Sequence, residues 1–184
     1  EKKALYKKYA INDKDLLLIF VGRLSKEKNV EEIIDYVNKT ENINGKNVKL
    51  IIVGGGPNKE NLKEYVEEVK ATNKVIFTGM VPLSEVPDYF NLGHIFVSGS
   101  ISETQGLTYV ESAAAGLPAV CRKDMSIDGV VINGKTGFQY ANYLEFHNGI
   151  SEICKDEETY SEVVENAKKI AEEYSSENFA KKVE

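Results

Sequence analysis

Apolar positions along this chain follow two alternating rhythms. Near-continuous apolar runs stand at residues 16–21, 48–53, 75–78 and 95–97, and another surrounds Val120. Runs of this length are expected of strands buried on both faces. Between them, apolar residues recur at helical spacing: Val30, Ile33, Ile34 and Val37, then Leu62, Tyr65, Val66 and Val69. A short helix is expected at 87–92, with Ser84 or Glu85 near its start. Leu107, Val110 and Ala114, at i, i+3 and i+7, give an apolar face to a helix entered at about Gly106 and stopped by Gly116 and Pro118. Further helices are expected at 144–154 and 159–174, and Ser175 or Ser176 can cap a last one through Phe179 to Val183. Residues 2–10 have helical composition with Leu5 and Tyr9 on one side, as a linker or a docked element. Residues 129–138 read as a short strand, a turn at Asn133-Gly134 and a second short strand. Five or six strands alternating with helices predict an α/β fold, a doubly wound parallel sheet whose ligand crevice lies at the carboxyl ends of the strands. All 184 residues are read as one such domain.

Bulk properties narrow the partners. The net charge of −6 argues against nucleic acid and shows no overall basic surface for anionic lipid. Cys121 and Cys154 lack metal-ligand spacing and are expected to be buried free thiols in a reducing cytosol. No apolar run approaches the ~20 residues of a membrane span, and no secretory signal opens the chain. Charged helical sequence at both ends fits a domain cut from a longer protein.

Candidate chemistry collects after two of the strands. Gly22-Arg23-Leu24-Ser25 ends the first, and Lys28 follows. A guanidinium and an ammonium at that place suit a diphosphate, although the residues alone more readily describe a solvated basic turn. Gly54-Gly55-Gly56 matches no phosphate-loop pattern and reads as a turn that lets the chain pass near a ligand. After the strand at 95–97, the N–H groups from Gly106 to Thr108 open a helix and form an anion site, and glycine at 106 lets a ligand approach. Glu103 precedes that site. Glu111 lies in the helix's second turn, at the border of its expected buried face, where a carboxylate needs a hydrogen-bond partner or solvent. An anion site between two hydroxyl-binding carboxylates suggests a nucleotide sugar. His94, alone beside an apolar run, reads as structural.

Glu103 and Glu111, with Gly106-Leu107 between them and Ala-Ala-Gly-Leu-Pro-Ala-Val behind, resemble the Glu-x7-Glu motif of retaining glycosyltransferases of family 4. These have the GT-B fold of two Rossmann-like domains. Gly-Arg-Leu-x-x-x-Lys resembles the family's pyrophosphate loop, with Arg23 and Lys28 at its basic positions. Asn29 stands where glycine is frequent, His94 where an acid is frequent, Gly99 in place of a proline and Ile132 in place of the acid of the "ENGxTG" turn. The resemblance covers nearly the whole chain, from Leu16 to at least Tyr140, and implies the carboxyl-terminal, donor-binding half of such an enzyme. It implies transfer of a hexose, glucose from UDP-glucose, to an acceptor hydroxyl, with diacylglycerol as the acceptor suggested by 102–111. It assigns Gly22, Arg23, Lys28, Gly106, Leu107 and Thr108 to the diphosphate, Glu103 to the donor sugar and Glu111 to the ribose. Met80 and Val81 fall on the base pocket. Arg23, Lys28 and Glu103 would carry the catalytic burden, with neither a metal nor a separate cofactor. An absent amino-terminal domain would hold the acceptor and any peripheral contact with the inner face of the membrane, in a cytoplasmic enzyme. A non-catalytic nucleotide-binding domain, an ADP-glucose-using synthase and a nucleotide-sugar epimerase share the architecture and stay open at this point.

Overall fold

A computed structural model describes residues 1–102 and 106–175. Glu103 and the helix expected through Phe179 to Val183 lie outside them. In chain order the elements are α1 (Lys2–Lys8), β1 (Leu16–Val21), α2 (Val30–Lys39), β2 (Asn42–Ile43), β3 (Lys46–Val53), α3 (Lys59–Glu68), β4 (Val75–Gly79), α4 (Val86–Leu92), β5 (Ile95–Ser98), α5 (Leu107–Ala114), β6 (Ala119–Arg122), β7 (Gly137–Tyr140), α6 (Tyr143–Ile153) and α7 (Glu157–Glu173).

Six strands form a parallel sheet in the order β4-β3-β1-β5-β6-β7. The order runs outward in one direction from β1 and in the other from β5, so the connections reverse between these two strands. That reversal opens a crevice at their carboxyl ends. The two-residue strand β2, which no apolar pattern announces, pairs antiparallel with the start of β3.

Alternation along each strand supplies two cores. Leu16, Leu18 and Phe20 of β1 join Leu50, Ile52, Ile95, Val97, Val120 and Tyr140 beneath α2, α3 and α6. Leu17 and Ile19 of the same strand face the other way, toward Tyr89 and Leu92 of α4. Phe96, Ala119 and Cys121 continue that face under Tyr109 of α5 and Ile170 of α7. Both faces are covered, which is why the strands read as unbroken apolar runs. Helix α1 is docked: Leu5, Tyr6 and Tyr9 pack on the second face, and the hydroxyls of Tyr9 and Tyr89 meet at 3.2 Å. Among the described residues no helix is long and apolar enough to cross a membrane.

The first of the two short strands expected at 129–138 does not form. Val130 and Val131 are buried in a turn instead. Thr136 Oγ1 donates to the Val130 carbonyl at 2.7 Å and accepts from Ile132 N–H at 2.8 Å, so a side chain satisfies groups that a ladder would otherwise pair. The Asn133-Gly134 turn is present, with Gly134 at φ 74°, and leads into β7.

His94 is structural. Its Nδ1 accepts from Leu17 N–H at 3.0 Å, and its carbonyl accepts from the Tyr160 hydroxyl at 2.9 Å. An accepting Nδ1 requires a neutral ring. Burial, with Lys2 and Lys46 nearby, pushes its pKa down to about 4. An unfolded chain takes up this proton below about 6.5. Stability contributed by His94 is therefore present above that pH and lost as pH falls toward 4, by on the order of 3 kcal/mol. Urea unfolding at pH 7.5 and 4.5 should show a larger acid loss in the wild type than in His94→Asn, which keeps an acceptor but cannot titrate. Equal losses would mean that His94 does not carry this acid sensitivity.

Candidate functional site

The loop after β1 is held by its neighbours before any ligand arrives. Gly22 N–H donates to the Val53 carbonyl at 3.0 Å, Leu24 N–H to Gly55 at 2.9 Å, and Asn58 N–H back to the Leu24 carbonyl at 2.9 Å. The Leu24 side chain is fully buried in the first core. With Leu24 turned inward, Arg23 is left exposed at the mouth of the crevice. Residues 22–24 and 54–56 run so close that a Cβ on Gly54, at φ 137°, would stand 2.0 Å from the Gly22 carbonyl oxygen. Contact between the two loops thus requires glycine at 54 and 56, whereas a Cβ on Gly55 would meet the Met80 side chain.

A single 3-10 turn, Lys26–Lys28, continues the loop. Ser25 Oγ donates to Glu27 Oε1 at 2.6 Å, which holds that carboxyl below its usual range. Asn29 is left-handed, at φ 49° and ψ 44°, and starts α2. Asparagine tolerates these angles better than other side chains do, so it can stand at a position suited to glycine. Lys28 lies half-buried just before it.

A cleft of about 460 Å³ opens at the carboxyl ends of β1, β3 and β4. Val21, Gly22, Arg23 and residues 53–56 form one side; Met80, Val81, Leu83 and Val86 form the other. One wall is therefore nearly all backbone and carries a cation, and the other is apolar. Met80 and Leu83 are 85% and 89% exposed, so this apolar wall is open to solvent. Leu83 and Val86 were not anticipated as lining residues. The signal available for them was two apolar positions flanking the Ser84-Glu85 helix start.

The second arm of the site follows β5. The loops after β1 and β5 touch: Ile101 N–H donates to the Glu27 carbonyl at 3.1 Å, and a Cβ on Gly99 would lie 2.7 Å from the Asn29 oxygen. Gly106, left-handed at φ 61°, is the N-cap of α5. Among the described residues the helical bonds begin with Tyr109 and Val110 N–H, which donate to its carbonyl at 3.1 and 3.3 Å. Leu107 and Thr108 N–H precede those bonds, as the anion-site reading requires.

The face of α5 differs from expectation. Tyr109, Ser112 and Ala113 are buried, whereas Leu107, Glu111 and Ala114 are exposed. The Tyr109 ring packs edge-on against Phe96, with centroids 5.4 Å apart, and its larger burial sets the rotation of the helix. Glu111 consequently lies in solvent, and among the described residues no hydrogen bond or ion pair engages its carboxylate. Thus Gly22, Arg23, Met80 and Val81 share the cleft, Lys28 sits on the loop that borders it, and Gly106, Leu107, Thr108 and Glu111 form the arm after β5. Among the described residues no group of three His, Cys, Asp or Glu side chains is arranged to hold a metal.

The sequence model of the family described as glycosyl transferases group 1 matches residues 1–170. The chain belongs to that family. Among curated relatives, the alpha-monoglucosyldiacylglycerol synthase of Acholeplasma laidlawii is 32% identical over 98% of this chain and 45% of its own length. Its namesake from Streptococcus pneumoniae (strain ATCC BAA-255 / R6) is 33% identical over 98% of this chain and 40% of its own. The chain spans under half the length of both. Of solved structures, the Anabaena protein HepE in complex with UDP gives a TM-score of 0.83 at 20% identity, over 99% of this chain and 52% of that one. The C-terminal domain of a glycosyl transferase group 1 family protein from Francisella tularensis gives 0.75 at 17% identity, over 94% and 91%. At these identities the likeness is one of fold: Rossmann-like, of the GT-B glycosyltransferase type.

The contact between the two glycine-lined loops predicts a sharp contrast. Gly54→Ala puts a methyl into the Gly22 backbone as well as straining φ, and should lower stability by about 3 kcal/mol or more. Gly134→Ala, at φ 74° with nothing within 4 Å, should lose only about 1 kcal/mol. Chemical denaturation ranks the two, and equal losses would remove the loop contact as the constraint.

Proposed function

We propose that this chain is the donor-binding half of a retaining glycosyltransferase of family 4 that moves glucose from UDP-glucose to an acceptor hydroxyl, the acceptor being a diacylglycerol. The observation that carries the reading is the meeting of two arms where the strand connections reverse. One is the Arg23–Lys28 loop, and the other is the start of α5. Together they offer two cations and two forward-facing amides to a diphosphate, beside a cleft with one apolar wall. The names of the relatives support glucose and diacylglycerol, and the UDP complex of a protein with this fold supports the nucleotide.

In this reading the diphosphate lies between Arg23, Lys28 and the N–H groups of Leu107 and Thr108, with Gly22 and Gly106 leaving room for it. These groups act on the negative charge that grows on the leaving diphosphate as the glycosidic bond breaks, and charge stabilisation there is a leading source of rate. The base lies against Met80 and Val81. The solvent-facing carboxylate of Glu111 takes the two ribose hydroxyls, as its lack of partners among the described residues allows. Glu103, outside the described residues, orients the sugar hydroxyls. The cations are side chains, so the scheme uses no metal. The acceptor belongs to an amino-terminal domain beyond this chain, which alone binds donor and turns over little. The whole enzyme is cytoplasmic and peripheral at the inner face of the membrane.

Charge-assisted hydrogen bonds contribute about 1.5–3 kcal/mol each. Arg23→Ala should therefore weaken UDP binding roughly tenfold or more by calorimetry, and unchanged affinity in both Arg23→Ala and Lys28→Ala would take these residues out of the site. The two glutamates should separate. Glu111→Gln should weaken UDP and UDP-glucose equally, since both carry the ribose. Glu103→Gln should leave UDP titrations nearly unchanged and lower kcat in the full-length enzyme. The opposite pattern would reverse the two roles.

A further inference from the structure

The first turn of α2 carries two adjacent glutamates that reach to opposite flanks of the site. Glu31 Oε1 accepts from Asn58 Nδ2 at 3.0 Å, on the β3 side. Asn58 is itself buried, and its N–H holds the Leu24 carbonyl. Glu32 is held from the β6 and β7 side. Its Oε2 accepts from Arg122 Nη1 at 2.8 Å and its Oε1 from the Tyr140 hydroxyl at 2.9 Å. Tyr140 is completely buried, its hydroxyl is also 3.3 Å from the Ser98 carbonyl, and its ring packs edge-on against Tyr36 at 5.7 Å. Ser98 is the last residue of β5, immediately before the loop that leads to α5. Glu32 N–H in turn lies 3.2 Å from the Asn29 carbonyl, next to Lys28.

Neither glutamate borders the cleft, and helix packing alone would not require a carboxylate to be held by both a guanidinium and a buried phenol. We infer that Glu32 is a positioning residue: through Arg122 and Tyr140 it fixes the spacing between the Arg23–Lys28 loop and the β5 end from which the second arm departs. Glu31 and Asn58 brace the same loop from the other flank. This inference rests on the donor reading above, because it requires a ligand that spans the two arms. Glu32→Gln keeps the size and one acceptor oxygen but cannot hold both donors as a carboxylate does. Tyr140→Phe removes only the hydroxyl and keeps the packed ring.

The test is calorimetric, on this chain, with UDP, UMP and uridine, and with thermal unfolding as the fold control. Glu32→Gln and Tyr140→Phe should each weaken UDP about fivefold or more, as slight misplacement of preset groups can. They should leave uridine within about twofold, with UMP between. In the Arg23→Ala/Lys28→Ala background the further loss on Glu32→Gln should vanish, because coupled residues are not additive. Equal losses for UDP and uridine, or losses that persist in that background, would make Glu32 a scaffold residue and overturn the inference. Unchanged UDP affinity in both variants would overturn it too. A wild-type chain that binds no UDP would instead overturn the donor reading, and this inference with it.

Discussion

Six parallel strands with apolar side chains on both faces must be covered on both sides. That requirement shapes the molecule. Leu16, Leu18 and Phe20 need α2, α3 and α6; Leu17 and Ile19 need α4 on the opposite face. Serving both faces means that the crossover connections run outward from β1 in one direction and from β5 in the other. The crevice between those two strands follows from the topology and is not carved by any one residue.

What the crevice can bind is decided by backbone more than by side chains. The loops after β1 and β3 approach within hydrogen-bonding distance because glycines allow it, and their mutual bonds consume the N–H groups of Gly22, Leu24 and Asn58. Burying Leu24 then leaves Arg23 outside. Placement of a cation at the mouth is thus a by-product of how the loop is anchored. On the β5 side a glycine again begins the helix, and the amides of Leu107 and Thr108 stand ahead of its first bonds.

The sequence and the structure agree wherever one apolar pattern dominates. The runs that became β1, β3 and β5 are nearly uninterrupted, and α2 presents Val30, Ile33, Ile34 and Val37 as one stripe. Helix α5 shows the opposite case. Its small residues allow two stripes, one through Leu107, Val110 and Ala114 and one through Tyr109, Ser112 and Ala113, and periodicity cannot choose between them. The choice is made by tertiary partners: the Tyr109 ring packs on Phe96, in a cluster that also holds Ile127, Val130 and Ile170. Strand β2 is too short to have a period, and Val130 and Val131 lie in a turn because the Thr136 side chain takes the place of a strand partner. The position of Arg23 at the cleft and of Lys28 on the bordering loop was legible from the strand end that precedes them. The bonds that fix Glu32 join residues 90 and 108 positions apart, which local pattern does not encode.

The bonding between the loops after β1 and β3 has one more consequence. Ordering a loop residue costs about 1–2 kcal/mol of backbone entropy. Here that loss is incurred when the sheet forms, so a molecule arriving at the cleft meets a rim that is already rigid. A rigid rim can hold a small ligand through few contacts. It also means that substitutions which merely loosen the rim, at Asn58 for example, weaken association without deleting any group that touches the ligand.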